Sequence, residues 1–161
     1  MTNADPFVIV AGFDGSKQSH DALQWAIEEA RYRKAELRVL TVWNKAPMSW
    51  YPALLETAAG EVVAAEDSPE LQAKALSAAA AQAAAGVNVV TQTVKDDSAA
   101  SAILKAAREA DLVVLGSRGH GGFAGLHIGS VSTQVTTHSP CPVLVVRPKA
   151  AAALRGQAKT G

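Results

Sequence analysis

The sequence lacks most of what marks a specialised environment. It holds a single cysteine, Cys141, which excludes an intrachain disulfide and a metal site built from cysteines. That usage fits a reducing compartment. It holds no excess of either charge: 15 Lys and Arg balance 15 Asp and Glu, so the chain as a whole carries no electrostatic footprint for nucleic acid. The opening "MTNADPF" has no basic stretch followed by an apolar one, the mark of a secretory signal. No apolar run reaches the roughly 18 residues that a membrane span requires. A cytoplasmic protein with neither nucleic-acid nor membrane partners is expected.

Catalytic signatures are missing as well. The absence of G-x-x-x-x-G-K-[ST] argues against a P-loop ATPase, and that of a G-x-S-x-G elbow against a Ser/His/Asp hydrolase. The four histidines are scattered, and His120 and His127 lack the spacing of helical metal ligands. Cys141, between Pro140 and Pro142 at the start of an apolar run, reads as a packing residue. Trp25 and Trp43 read as core or interface residues.

What is present is one domain's worth of chain. Its 161 residues, 48% hydrophobic and 19% charged, are ordinary for a globular protein with a sizeable core. "FVIVAGF" (7–13) is a nearly continuous, β-branched run, the pattern of a strand buried on both faces. After it Ala22, Leu23, Ala26, Ile27 and Ala30 recur at helical spacing behind Ser16, a natural N-cap. "ELRVLTVW" (36–43) predicts a second strand. Residues 68–85 form an Ala-rich helix closed by Gly86. "VNVVTQTV" (87–94) is a strand, and Asp97 or Ser98 caps a helix reaching Glu109. "DLVVLG" (111–116), a helix at about 130–138 and "PVLVV" (142–146) complete the series. Residues 44–67 carry two prolines, Trp50 and Tyr51 without any period; such a long loop is either functional or a variable surface insertion. The domain is expected over 1–148, with a flexible tail at 149–161.

Strands alternating with helices predict an α/β fold, an open five-stranded parallel sheet with helices on both faces. Right-handed crossovers leave 3-2-1-4-5 and 2-1-3-4-5 as the leading strand orders.

Six of the twelve glycines fall between Gly116 and Gly129. Glycine loses the most backbone entropy on folding, so this concentration needs a reason, such as backbone that must closely approach a ligand. Open α/β sheets bind ligands outside the carboxyl ends of strands where the order reverses. In order 3-2-1-4-5 that place lies between strands 1 and 4, where Asp14 and Gly116 would meet. The helix that follows, "SVSTQVTTH", is poor in strong helix formers, while a helix N-terminus attracts anions. Gly129 would let the backbone come close, and Ser130 and Ser132 offer hydroxyls. A Ser-capped helix behind a flexible loop is the plainer alternative. Asp14 can bond a ribose hydroxyl or help hold a divalent cation, or it is simply an acid at a helix start.

The spacing of Gly116, Gly119, Gly129 and Ser130 resembles the G-2x-G-9x-G-[ST] nucleotide motif of the universal stress protein family. "VIVAGFDGS" is similar to that family's first strand and turn, and "SPCPVLVVRP" to its last strand, so the likeness covers roughly residues 5–148. The resemblance implies order 3-2-1-4-5, a Rossmann-like fold, and a homodimer paired through the last strand, Val143 to Val146. It also implies ATP, together with magnesium, in the crevice between strands 1 and 4. Carried over by position, Asp14 would contact ribose or adenine, with Ala11 and Gly12 facing adenine. Val42 would offer main-chain contacts to adenine, and Leu115 and Gly116 would line the nucleoside. Gly119, Gly129, Ser130, Val131 and Ser132 would surround the phosphates. The implied role is a nucleotide-responsive regulator in stress response, serving an unidentified protein partner. Little turnover is expected, since no base or lysine is evidently aimed at a γ-phosphate. A slow ATPase, and an interaction dimer taking another adenine nucleotide such as cyclic AMP, are the alternatives. Two positions depart from the family: His127 replaces a commonly apolar residue, and Gly12 stands where some relatives are bulkier, which would loosen the adenine pocket.

Overall fold

Strand and helix alternate through residues 4–44, 68–119 and 128–148, the parts that the computed structural model describes. In order these are β1 (Val8–Gly12), α1 (Lys17–Arg33), β2 (Glu36–Trp43), α2 (Pro69–Ala83), β3 (Asn88–Lys95), α3 (Ala99–Ala107), β4 (Leu112–Gly116), α4 (Ser130–His138) and β5 (Val143–Val146). The five strands form one sheet of order β3-β2-β1-β4-β5, and every pairing is parallel. Of the two orders left open by the residue pattern, 2-1-3-4-5 is thereby excluded. The long loop of 45–67 and the tail of 149–161 lie outside the described residues, as does most of the glycine loop, 120–127.

β1 is the middle strand, and its composition follows from that place. Ile9 pairs with Leu37 on one side and Leu112 on the other. Side chains alternate across the sheet, so Ile9 and Ala11 enter the core beneath α1 and α2. Val10 enters the second core, beneath α3 and α4. Each face is covered, so no position of Val8–Ala11 can be polar. At the edge, β3 instead alternates exposed and half-buried positions, with Val90 40% exposed.

Serines set the helix starts. Ser16 Oγ accepts from Ser19 N at 3.2 Å, Ser68 Oγ from Leu71 N at 3.3 Å and Ser98 Oγ from Ser101 N at 3.1 Å. The last bond decides between Asp97 and Ser98 as cap of α3. Asp96 instead receives Ser98 N through Oδ1 at 2.9 Å. Ala84, not Gly86, is the C-cap of α2; Gly86 serves the turn into β3, where its φ of +94° suits glycine. Trp25, expected in a core or interface, is 41% exposed on α1.

Candidate functional site

The site is built from the carboxyl ends of β1 and β4. Ala11 pairs with Val114, so the two strands end side by side, at the point where the sheet's order reverses. Past β1, Phe13 N donates to Leu40 O at 2.9 Å and the chain turns at once. Asp14 Oδ1 accepts from Ser16 N at 2.9 Å, an Asx-type bond that fixes the carboxylate at the start of α1. Gly15 takes φ +81°, and a Cβ there would stand 2.8 Å from Leu76 Cδ2. The backbone conformation demands glycine at this turn.

Gly119 brings the second loop onto the first. A Cβ at Gly119 would lie 2.8 Å from Asp14 Oδ2, so the carboxylate rests directly against the glycine-loop backbone. Gly129 closes the loop: its N–H donates to Ser117 O at 2.6 Å, and its missing Cβ would stand 3.8 Å from Gly119 N. The chain therefore leaves at Gly119 and returns at Gly129 within contact distance. Asp14, Gly119 and Gly129 gather in one place at the switch point of order 3-2-1-4-5, whereas Gly116, expected opposite Asp14, packs against Gln18.

α4 begins here without the usual protection. Its N-cap is Gly129, which supplies no side-chain hydrogen bond to the first-turn amides. Ser130 is exposed, and Val131 is half-buried against the α3–α4 core. Ser132 is turned inward: its Oγ donates to Gly116 O at 2.7 Å and fastens the helix to the end of β4. The three threonines also have an assignment. Thr133, Thr136 and Thr137 each donate Oγ1 to the carbonyl four residues back, at 2.8 Å, a pattern these side chains favour inside helices.

Other candidate residues sit where packing places them. A Cβ on Gly116 would meet the Gln18 backbone at 2.9 Å, so this glycine lets α1 pack against β4. A Cβ on Gly12 would lie 2.7 Å from Leu115 Cδ2 and 3.4 Å from Ile103 Cδ1. The missing side chain at Gly12 leaves no slack on that side, because Leu115 and Ile103 fill the space. Val42 is half-buried one strand outward from β1, on the side away from β4 and opposite Val94. His127 lies outside the described residues.

Sequence reasoning passed over two residues. Ser117 is fully buried; its carbonyl holds Gly129, and its hydroxyl has no hydrogen-bond partner among the described residues. Nothing in the sequence marks its burial. His20 places Nδ1 2.9 Å from Ser16 O and meets Phe13 edge-on at 4.9 Å between ring centroids; its spacing of four from Ser16 was the available signal. Among the described residues, no three His, Cys, Asp or Glu side chains gather as a metal site.

A family model for the universal stress proteins matches residues 7–147. The chain belongs to the universal stress protein family. A universal stress protein of Mycobacterium tuberculosis is 32% identical over 144 residues, covering 86% of this chain and 44% of its own. The chain thus spans less than half the length of the mycobacterial relatives it matches. One from Thermus aquaticus is 32% identical over 141 residues, covering 86% of this chain and 97% of its own. Among solved structures, UspA of Lactobacillus plantarum superposes with a TM-score of 0.69 at 26% identity, covering 90% of this chain and all (100%) of that one. A universal stress protein in complex with cAMP does so with a TM-score of 0.60 at 27% identity, covering 89% and 98%. An Arabidopsis thaliana member with AMP bound shares the fold, with a TM-score of 0.63 at 18% identity and coverage of 91% and 95%. No described helix is long and apolar enough to cross a membrane.

Proposed function

We propose that this universal stress protein binds an adenine nucleotide, ATP with magnesium, where β1 and β4 end, and works as a dimeric, nucleotide-responsive regulator. One observation carries the proposal: the Asp14 carboxylate, the Gly119 backbone, Gly129 and the side-chain-uncapped start of α4 converge on one place. First-turn amides and the helix dipole together favour an anion. The N–H groups of Ser130, Val131 and Ser132 would hold phosphate oxygens, with the exposed Ser130 hydroxyl as a further donor. The Ser132 hydroxyl keeps α4 in position through Gly116 O. Gly119 fits the role because a side chain there would press on the Asp14 carboxylate, and Gly129 because it returns the chain beside Ser117, Arg118 and Gly119.

Asp14 would accept a ribose hydroxyl or share a magnesium ion with the phosphates. Gly12, Val42, Leu115 and Gly116 would border the nucleoside. Binding rather than turnover is proposed, since the cradle consists of hydrogen-bond donors and a carboxylate already bonded to Ser16. Pairing of two copies along β5, Val143 to Val146, would place two cradles in one particle. As the outer strand beside β4, β5 offers the unpaired edge that such pairing uses.

Calorimetric titration of ATP and magnesium into the wild type and a Gly129→Val, Ser130→Ala variant tests the cradle. Binding is expected in the wild type and lost in the variant, with unchanged far-UV circular dichroism. A wild type that binds no nucleotide, after extraction has removed any carried through purification, overturns the proposal. Cyclic AMP is the second candidate, favoured by the cAMP complex of the 27% identical neighbour; competition among ATP, ADP, AMP and cyclic AMP decides between them. Light scattering after size exclusion tests the dimer.

A further inference from the structure

Away from the nucleotide cradle, α3 and α4 lie against each other on one face of the sheet. Both run from its carboxyl edge toward its amino edge, because each follows one parallel strand and precedes the next. A groove of about 470 Å³ opens between their outer surfaces. On α3 it is lined by Ser98, Ser101, Lys105 and Arg108, whose spacings of three and four make one stripe. Gln134 and His138, one turn apart, line it from α4, and Leu104 and Pro140 add apolar surface.

Among the described residues, no acidic side chain lines this groove. Asp96 reaches Lys105 from outside it at 3.1 Å, and Glu109 turns away to Arg38 at 3.3 Å. Arg108 forms no ion pair with any described residue. The chain as a whole is neutral, so the basic lining is a local excess and not a reflection of overall charge. Cations near a helix C-terminus complement its dipole, which accounts for each one singly. It does not account for Lys105 and Arg108 bordering the same open groove with hydroxyls, an imidazole and a leucine.

We infer that the α3–α4 groove docks an acidic segment of a partner protein, its carboxylates meeting Lys105, Arg108 and His138 and an apolar side chain meeting Leu104 and Pro140. The length of the stripe favours a peptide over a single anion: from Ser98 to Arg108 a helix rises about 15 Å. The described lining also holds no Phe, Tyr or Trp, the side chains that make the broadest stacking platforms for single-stranded nucleic acid. This inference stands apart from nucleotide binding, because neither Lys105 nor Arg108 belongs to the cradle.

The test is a nitrogen-15 correlation titration of the full chain with a blocked peptide of Glu/Asp pairs separated by leucines. Shifts are expected at the amides of Ser101, Lys105, Arg108, Gln134 and His138. The apparent affinity should fall about tenfold or more in a Lys105→Gln, Arg108→Gln variant and recover in Lys105→Arg, Arg108→Lys. ATP binding is expected to be the same in all three proteins, so failure here is distinguishable from failure of the cradle. No shift at millimolar peptide overturns the inference, and so do shifts that persist in the Gln variant. Equal shifts with inorganic phosphate at the same concentration would replace the peptide by a small anion, and stronger shifts with a thymidine oligonucleotide would replace it by nucleic acid; either result overturns it.

Discussion

α1 and α4 both begin at the carboxyl edge of the sheet, both touch Gly116, and they begin in opposite ways. α1 has 17 residues, a serine side-chain cap, Arg31 and Arg33 in its last turn and a left-handed C-cap at Lys34. Its buried stripe, Ala22, Leu23, Ala26, Ile27 and Ala30, fills the core under the sheet. Each of its ends is satisfied locally. α4 has nine residues, a glycine cap and, among the described residues, no side-chain cap bond to its first turn. It is held by Ser132 bonded to Gly116 O, by Gly129 bonded to Ser117 O and by threonines bonded back along the helix. The contrast separates two uses of a helix start. A start capped by its own side chain stabilises the fold, whereas one left uncapped keeps its donors for something else.

The largest expected effect removes what the two helices share. Gly116→Ala puts a methyl group 2.9 Å from the Gln18 backbone, so α1 or β4 must shift. Overpacking of this kind costs about 1–3 kcal/mol, measurable as a lower urea midpoint with unchanged slope. Gly116→Ala with wild-type stability would mean that α1 does not press on β4.

Next come the two helix starts individually. Ser132→Ala removes the bond to Gly116 O and should cost about 1–2 kcal/mol, since it leaves a mostly buried carbonyl unpaired. It should also weaken nucleotide binding by loosening α4. Ser16→Ala should cost about 1 kcal/mol as a lost N-cap, with nucleotide affinity unchanged. Equal loss of affinity in both variants, by calorimetry, would erase the proposed difference between α1 and α4.

Gly119→Ala sharpens the comparison further. It sets a methyl group against the Asp14 carboxylate, 2.8 Å from Oδ2, at a position exposed to solvent. Nucleotide affinity is expected to fall about tenfold while the thermal midpoint stays within a few degrees. Loss of stability without loss of affinity would assign this contact to folding.

The smallest effect concerns α3, whose start resembles that of α1. The Asp96 carboxyl lies below its ordinary value, first because it accepts the Ser98 N–H and then because of Lys105. A folded-state value below the unfolded one contributes stability that is fully present above the unfolded pKa of about 4. It is lost as pH falls through the depressed folded value. Asp96→Asn should therefore shrink the fall of the thermal midpoint between neutral pH and about pH 3. An unchanged acid limb would show that this carboxylate adds nothing.

Much of this architecture was legible because its signals are local. Periodicity placed the strands and the last three helices within about two residues, α1 running three residues past Ala30, its last periodic position; Ser16, Ser68 and Ser98 each cap from the adjacent position. The meeting of Asp14 with the glycine loop followed from topology once the order was 3-2-1-4-5. The glycines were only half understood. Gly119 faces Asp14 and Gly129 the start of its own loop, but Gly116 answers to Gln18 and Gly12 to Leu115, partners far away in sequence. Ser132 looked like a phosphate donor because its hydroxyl's partner, Gly116 O, lies across the loop. Trp25 was placed in a core or an interface, and its exposure excludes the core, because aromatic character says nothing about which face of α1 carries it.

By itself the sequence determined the alternation of strand and helix, the both-face burial of β1, the serine caps and the motif spacing that marks the family. These depend on neighbours within a turn or a strand, where periodicity and side-chain chemistry act directly. Only the tertiary structure decided the strand order among the two that the residue pattern allowed. It also decided which glycines serve packing and which face the site, and that α4 starts without a side-chain cap while Ser132 ties it to β4. Those outcomes depend on which distant backbone comes within a few ångströms, and that is fixed by how the whole sheet and its helices pack.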